Sequence, residues 1–266
     1  IIGAQSNSND GDVSGHHGTA STKDYWVFKT DSLGNLEWQK SYGGTDDDEL
    51  NCIITTTDGG YALMGATYSN DGDVTAFHGA SDAWMVKLDS LGNMEWERAY
   101  GGAGVEWSRN VIQTNDGGFV FLASNDSVDG DVTGINHGAN DLWMVKTDNL
   151  GAIQWQKLFG GSGYDSGTAL DQTSDNGFII CGITSSSDGD VIGNTDTTLL
   201  GSTWVIKTDS SGTIEWQDTY GGTLFEFARD IKQMSDGNYL FGATTFSSDG
   251  TVPSNYHGAM DFWVLK

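Results

Sequence analysis

The stretch WMVKLDSLGNMEWERAYGG, residues 84–102, decides the fold because the chain repeats its outline from end to end. Its opening tryptophan, followed by a lysine three positions later, recurs every 58 to 61 residues at Trp26, Trp84, Trp143, Trp204 and Trp263. A second tryptophan lies twelve residues after each of the first four, and an aromatic-Gly-Gly sequence follows at Tyr42, Tyr100, Phe159 and Tyr220. Self-similarity at a fixed period of this kind is typical of a repeat architecture built from one supersecondary unit.

Each unit divides into four short segments with β-strand character. In the second unit the sequence predicts strands at Asn51–Thr56, Tyr61–Thr67, Ala83–Asp89 and Met94–Tyr100. Clusters of Gly, Asp, Asn and Ser bound these segments, which are rich in β-branched and aromatic residues. No window keeps a 3.6-residue apolar period over the length of a helix, so no helix is expected.

The turn between the third and fourth strands has a defined chemistry. The sequence Asp89–Asn93 recurs at Asp31–Asn35, Asp148–Ala152 and Asp209–Thr213, and its Gly stands where a three-residue hairpin loop needs the left-handed conformation. The Asp side chain can accept hydrogen bonds inside the turn. This register predicts cross-strand pairs of Lys29 with Glu37, Phe28 with Trp38, Lys87 with Glu95 and Lys207 with Glu215.

The repeat predicts an all-β fold, a β-propeller of four-stranded antiparallel blades, forming a single domain over residues 1–266. Closure of the blades into a ring removes exposed sheet edges. The chain opens on Ile1-Ile2-Gly3-Ala4, which matches a second strand, and closes on Asp261–Lys266, which matches a third strand. We therefore expect five visible blades with incomplete end blades, in a chain that is part of a longer repeat array.

The charge of the chain limits its partners. Asp and Glu number 37 against 12 Lys and Arg, which gives a formal net charge of −25 at pH 7. This excess disfavours nucleic acid and anionic membrane surfaces and favours divalent cations or cationic partners. No apolar stretch approaches the roughly eighteen residues of a membrane helix, so no membrane insertion is expected. Cys52 and Cys181 occupy different repeat positions, and we expect buried free thiols rather than a disulfide.

An acidic loop recurs between the second and third strands. Asp-Gly-Asp occurs in four units, and the fifth has Asp249-Gly250-Thr251. Two interpretations stay open: Ca²⁺, which takes six to eight oxygen ligands, and a turn in which the Asp side chains bond nearby amides. The candidate calcium ligands are Asp10, Asp12, Asp71, Asp73, Asp129, Asp131, Asp188 and Asp190.

A His-Gly pair follows this loop in every unit but the fourth. The histidines are His17, His78, His137 and His257. Rotation around a ring would keep them apart, which argues against a shared metal or catalytic site. Each is instead expected to bond an Asp of its own loop, at Asp24, Asp82, Asp141 or Asp261.

A third repeated acid follows each Gly-Gly by four residues and lies close in sequence to aromatics that do not repeat. In a propeller these acids would share one rim with the acidic loops. Variable aromatics there (Phe77, Trp107, Tyr164, Phe225, Phe227 and Tyr256) suit a glycan or protein site. The candidate ligand-binding residues are Asp48, Glu106, Trp107, Tyr164, Asp165, Phe225 and Glu226. In the alternative interpretation the acids bond backbone amides at the start of a strand.

The pattern Trp-x-x-Lys-x-Asp-Ser-x-Gly-Asn-x-Glu-Trp, with Tyr-Gly-Gly and Thr-x-Asp-Gly-Gly-Tyr, resembles known propeller repeats. Its hairpin is similar to that of quinoprotein-type propellers, and the whole pattern resembles repeats of secreted or surface proteins of bacteria exported by the type IX route. The resemblance covers the whole chain and implies a propeller fold and a secreted or cell-surface location. The quinone cofactor is not implied, because nothing in the chain matches its binding cage.

The sequence contains no nucleophile elbow, phosphate loop or zinc helix. We therefore expect a non-catalytic extracellular or cell-surface binding or adhesion module with an acidic face, stabilised by Ca²⁺ if the acidic loops hold it. Its expected partner is a glycan or a protein on an extracellular surface. Two alternatives stay open, a carbohydrate-active enzyme with a site at the propeller centre and a structural spacer repeat.

Overall fold

The computed structural model describes residues 1–194, 200–252 and 258–266. These residues form eighteen β-strands and no helix, which confirms the all-β prediction. The strands are β1 Ile2–Ser6, β2 Asp24–Thr30, β3 Leu36–Tyr42, β4 Asp48–Thr55, β5 Tyr61–Thr67, β6 Asp82–Leu88, β7 Met94–Tyr100, β8 Glu106–Gln113, β9 Phe119–Asn125, β10 Asp141–Thr147, β11 Ile153–Phe159, β12 Asp165–Gln172, β13 Phe178–Thr184, β14 Ser202–Thr208, β15 Ile214–Tyr220, β16 Glu226–Gln233, β17 Tyr239–Thr245 and β18 Asp261–Leu265.

The strands form five antiparallel sheets in the order that the repeat predicts. Three sheets have four strands, in the orders β4-β5-β6-β7, β8-β9-β10-β11 and β12-β13-β14-β15. The two end sheets have three strands, β1-β2-β3 and β16-β17-β18. Strands that follow each other in sequence lie next to each other in each sheet. We call β4, β8, β12 and β16, which each begin with the acid four residues after a Gly-Gly pair, the leading strands.

The predicted hairpin turn is present, with one correction to its register. Asp89 Oδ1 accepts hydrogen bonds from the amides of Leu91 and Asn93, each at 2.8 Å, and Gly92 has a φ of 75°. Lys29 Nζ lies 2.8 Å from Glu37 Oε2, so the predicted contact is present, but in the strand register Lys29 lies opposite Trp38 and not opposite Glu37. The predicted pairing of Phe28 with Trp38 is wrong, because a register shift between Lys29 and Thr30 places Phe28 opposite Gln39.

The chain divides into two compact units, which we describe separately. The first comprises Ile1–Phe121, Ser127–Thr133 and Thr147–Ile153, and the second comprises Leu122–Asp126, Gly134–Lys146 and Gln154–Lys266.

In the first unit, β4 packs against β1 and β2. Tyr25 and Trp84 are fully buried between these sheets, with ring centroids 4.7 Å apart. The Tyr25 hydroxyl donates a hydrogen bond to the backbone carbonyl of Trp84 at 3.2 Å. Trp84 and its equivalents Trp143, Trp204 and Trp263 are therefore core residues, whereas Trp26 is only partly buried.

In the second unit, β16 packs against β12, β13 and β14. Ile179, Cys181 and Val205 form one apolar cluster with Ala228 and with two further residues of the fifth sheet, Ile231 and Phe241. Cys181 is buried and Cys52 is partly buried, and both are free thiols, as predicted. Sheet-on-sheet packing of repeated units thus provides the core of each unit.

Candidate functional site

The acid that follows each Gly-Gly begins a leading strand and is fully buried. The amide of the second glycine donates a hydrogen bond to the carboxylate four residues later, as from Gly44 to Asp48 at 2.8 Å and from Gly161 to Asp165 at 2.8 Å. Glu106 and Glu226 accept the corresponding bonds at 2.8 and 3.1 Å. These four candidate ligand-binding acids therefore accept hydrogen bonds from backbone amides. This is the role that the alternative interpretation assigned to them.

A second buried carboxylate lies beside three of these acids. It belongs to the first residue of the third strand, Asp24, Asp82 or Asp141, and each is fully buried. Three of the four predicted histidine partners are confirmed. His17 Nδ1 and His78 Nδ1 lie 2.8 Å from their Asp Oδ2, and His137 Nδ1 lies 3.2 Å from Asp141 Oδ2. His257 lies outside the described residues.

The two carboxylates converge on the first glycine of the Gly-Gly pair. A Cβ atom at Gly160 would come within 3 Å of Asp141 Oδ1 and of Asp165 Oδ2. No side chain fits at this position, so the repeat keeps a glycine where two carboxylates approach the backbone.

The Asp-Gly-Asp loops clamp the same turns. In the loop of the second unit, Asp71 Oδ1 accepts a hydrogen bond from the Thr45 amide at 2.8 Å, and Asp71 Oδ2 accepts one from the Thr45 hydroxyl at 2.9 Å. The Asp73 amide donates to the Gly43 carbonyl at 2.9 Å, and the Gly43 amide donates to Asp73 Oδ2 at 3.2 Å. The carboxylates thus bind backbone amides, but these amides lie 26 and 30 residues away in sequence and not in the same loop, where the turn interpretation expected them.

The other Asp-Gly-Asp copies divide into two kinds. Asp129 and Asp188 bind the amides of Ala103 and Ser162 at 2.7 Å, and the amides of Asp131 and Asp190 donate to glycine carbonyls at 2.8 Å. In the first copy, Asp10 and Asp12 are exposed, and Asp10 accepts a hydrogen bond from the Ser8 hydroxyl at 3.0 Å. Among the described residues, no group of three or more His, Cys, Asp or Glu side chains is arranged to hold a metal ion. Calcium at these loops stays a prediction.

These contacts build one repeated assembly, which we call the carboxylate cluster. The first contains Asp24, Asp48, Asp73 and His17 around Gly43, with His17 Nε2 3.8 Å from Asp73 Oδ2. The second and third contain Asp82, Glu106, Asp131 and His78, and Asp141, Asp165, Asp190 and His137. Each places three carboxylates around one turn glycine and bonds one of them to a histidine, and the first also has His16, whose Nε2 lies 3.6 Å from Asp24 Oδ1.

Burial dominates the electrostatics of the clusters. Desolvation raises the pKa of Asp48 to about 6, and the charge of Asp24 adds to the shift against several opposing hydrogen bonds. Desolvation likewise raises the pKa of Asp82, Asp141 and Asp165. Asp141 and Asp165 each have one buried oxygen without a hydrogen-bond partner among the described residues. Buried acids of this kind favour the protonated form.

Beside the buried acids, the leading strands carry a variable face. The position after the acid is Glu49, Trp107, Ser166 or Phe227, and two residues further on it is Asn51, Arg109, Thr168 or Arg229. Trp107 and Phe227 are partly exposed. The Arg109 guanidinium lies 4.2 Å from the centroid of the Trp107 ring, and that of Arg229 lies 4.5 Å from the Phe227 ring.

The remaining predicted aromatics have different surroundings. Tyr164 is exposed at the approach to β12. Phe225 stacks on Phe227, with ring centroids 6.1 Å apart. Phe77 packs against the core of the first unit, and Tyr256 lies outside the described residues. The structure therefore places Trp107, Phe225 and Phe227 on or beside a leading strand, while the predicted acids face away from solvent.

The arginines of this face were missed by the sequence analysis. A signal was present, because Arg109 and Arg229 are two of only three arginines in the chain and occupy one repeat position. Arg229 is also the extra residue of a β-bulge, since Ala228 pairs with Ala243 and Asp230 pairs with Gly242. A bulge re-aims the side chain that it carries, and bulges are common next to functional sites.

No family model matches the chain, and a search of curated proteins found no match. Among the described residues, no helix is long and apolar enough to cross a membrane.

Proposed function

We propose that the chain is a non-catalytic binding or adhesion module, secreted or at the cell surface, that recognises its partner with the variable face of its leading strands. In this proposal the five sheets are the blades of a β-propeller and the leading strands are the innermost strand of each blade. The partner is a glycan or a protein on an extracellular surface.

The alternation along the leading strands carries the proposal. The acid position is occupied by Asp or Glu in all four strands and is fully buried. The next position holds Glu, Trp, Ser or Phe, and most of these side chains are partly exposed. A scaffold that carries a recognition surface is expected to keep the same residues at its buried positions and to vary its exposed ones. The buried residues maintain the packing of every repeat, whereas the exposed residues bind the partner.

The partly exposed aromatic residues support a glycan or protein partner. Trp and Tyr combine a large apolar surface with low conformational entropy, and they are enriched in binding sites. The net charge of −25 supports a partner that is not a polyanion.

The enzyme alternative assigns catalysis to Asp48, Glu106, Asp165 and Glu226. All four side chains are fully buried and bound to glycine amides. A catalytic acid must reach the proton that it transfers, directly or through one water. The geometry therefore favours binding over catalysis.

A glycan array with matched variants tests the proposal. We expect the native chain to bind a defined set of glycans and Trp107→Ala to lose that binding. Trp216→Ala is the control, because Trp216 is 39% exposed but lies on β15, outside the leading strands. Equal binding by both variants would exclude the variable face as the recognition surface, and no binding to glycans or to extracellular proteins would leave the spacer alternative.

A further inference from the structure

An aromatic residue and an arginine occupy the same two positions of two leading strands, Trp107 with Arg109 on β8 and Phe227 with Arg229 on β16. The third arginine of the chain, Arg98, is on β7. In a chain with 37 acidic residues, two of three guanidinium groups thus lie against rings on the variable face.

The β16 pair shows what holds its arginine. Arg229 is the bulge residue, and its guanidinium lies over the Phe227 ring. Its side chain is exposed, and the neighbouring Asp230 carboxylate accepts a hydrogen bond from the Ile231 amide at 2.9 Å. The ring contact is the interaction that the described residues give this guanidinium.

Three lysines of the second unit pair with carboxylates instead. Lys207 lies 2.8 Å from Glu215, Lys232 lies 3.0 Å from Asp171 and Lys266 lies 2.6 Å from Asp236. Arg229 therefore differs from these lysines in its contact partner, which is an aromatic ring and not a carboxylate.

The ring itself belongs to an apolar patch. Phe227 stacks on Phe225, which also contacts Phe246 at a centroid distance of 6.2 Å. The equivalents of Phe246 in the other sheets are Asn7, Tyr68, Asp126 and Ser185, so this patch is not required by the repeat. A guanidinium fork at the edge of a partly exposed aromatic patch can bind a carboxylate through two hydrogen bonds while a ring packs against an apolar ligand surface.

We infer that these aromatic–arginine pairs recognise an acidic sugar, a hexuronic acid unit whose carboxylate binds the guanidinium and whose C–H face packs on the aromatic patch. The inference rests on the proposed function and names the ligand class of the same surface. The charge of −25 disfavours polyanions at long range, so the ligand is an isolated acidic residue within a largely neutral glycan.

The test compares methyl β-glucuronide with methyl β-glucoside, which differ at the carboxylate carbon, by amide NMR titration of the intact chain. We expect shifts for β16 and β8 residues with the glucuronide and binding about tenfold weaker for the glucoside, as expected for a charge-assisted pair. Arg229→Gln should abolish the shifts at β16 and leave those at β8.

The matched control is Arg98→Gln, because Arg98 bonds the Leu150 carbonyl at 3.0 Å away from the leading strands. Equal loss in this variant would show non-specific attraction and overturn the inference. Equal binding of both sugars, insensitive to Arg229→Gln but lost in Phe227→Ala, would overturn the acidic-sugar inference and keep the proposed function. No shift with either sugar, together with a blank glycan array, would overturn both.

Discussion

The third and fourth carboxylate clusters lie in the same unit and have different chemistry. The third has Asp141, Asp165, Asp190 and His137. In the fourth, Ser202 and Thr251 stand at the positions of Asp141 and Asp190, and the sequence contains no histidine of this kind. Glu226 is the remaining carboxylate.

The fourth cluster makes the same backbone contacts with hydroxyl groups. The Gly221 amide donates to Thr251 Oγ1 at 2.8 Å, as the Gly160 amide donates to Asp190 Oδ2 at 3.3 Å. Glu226 accepts hydrogen bonds from the Thr245 hydroxyl at 2.9 Å and from the Gly222 amide at 3.1 Å. Relative to the third cluster, the fourth cluster lacks two carboxylates and the imidazole.

The difference teaches that the histidine and two carboxylates form one electrostatic unit. A buried charge is costly unless it is paired, so extra carboxylates need a group that can carry positive charge. Where His137 has no counterpart, the two partner carboxylates are also absent. The clusters therefore differ in charge compensation and share their backbone role.

The largest loss of stability is expected when a substitution adds a carboxylate to the fourth cluster, which has no histidine. Ser202→Asp places a second acid near the fully buried Glu226, and we expect a loss of about 3–5 kcal/mol in the free energy of unfolding. Urea denaturation measures it. Ser202→Ala is the control, because it removes the hydrogen bond that Ser202 Oγ donates to Asn194 Oδ1 without adding a charge. Equal losses for the two variants would disprove the electrostatic account.

The pH dependence of stability should separate the first three clusters from the fourth, because the carboxyl groups with raised pKa values lie in the first three. Desolvation raises the pKa of Asp48 from 3.8 to about 6, so the folded chain binds a proton in this window that the unfolded chain does not. Stability from this group is present below pH 3.8 and is lost as pH rises through 6, by up to roughly 3 kcal/mol.

The opposite trend holds at lower pH. Ion pairs and hydrogen bonds lower the pKa of Asp175 and of Asp236 to about 2, so their stabilisation is lost as pH falls below 3.8. We therefore expect maximal stability between about pH 4 and 5. Urea denaturation at a series of pH values measures the profile, and Asp48→Asn should flatten its rise between pH 7 and 5. A maximum at neutral pH would contradict the assignment.

Removal of one histidine should have a smaller effect. His137→Ala leaves the His137 backbone amide bonded to Asp141 but removes the imidazole, and we expect a loss of about 1–3 kcal/mol. His137→Ala with Asp141→Ser imitates the fourth cluster and should recover part of this loss. A double-mutant cycle measures the coupling, and strictly additive losses would mean that the pair does not act as a unit.

The smallest effect is expected from calcium. Three of the four Asp-Gly-Asp loops already bind backbone groups with their aspartates, so millimolar Ca²⁺ should raise the melting temperature by less than a few degrees relative to excess EDTA. Any shift should vanish in Asp10→Asn with Asp12→Asn, since these two side chains are exposed. A larger rise, lost in Asp71→Asn with Asp73→Asn, would establish the loops as calcium sites.

Part of the candidate site could be predicted from the sequence. The histidine–aspartate pairs followed from the recurrence of a His-Gly pair ahead of an Asp in every unit but the fourth. The amide-bound acids were one of two interpretations that the sequence left open. The aromatic–arginine pairs were not predicted, because the bulge at Arg229 depends on cross-strand pairing that a sequence does not display.

By itself the sequence determined the repeat, the eighteen strands, the glycine turns and the order of strands in each sheet. These features depend on local conformational preference and on period, which neighbouring residues carry. Only the tertiary structure decided that Asp48 and its equivalents are buried, that the acidic loops clamp glycine turns about thirty residues away, and that Arg229 lies over Phe227. Burial and hydrogen-bond partners depend on which distant segments pack together. The identity of an acidic residue therefore does not show whether its carboxylate faces water or a glycine amide.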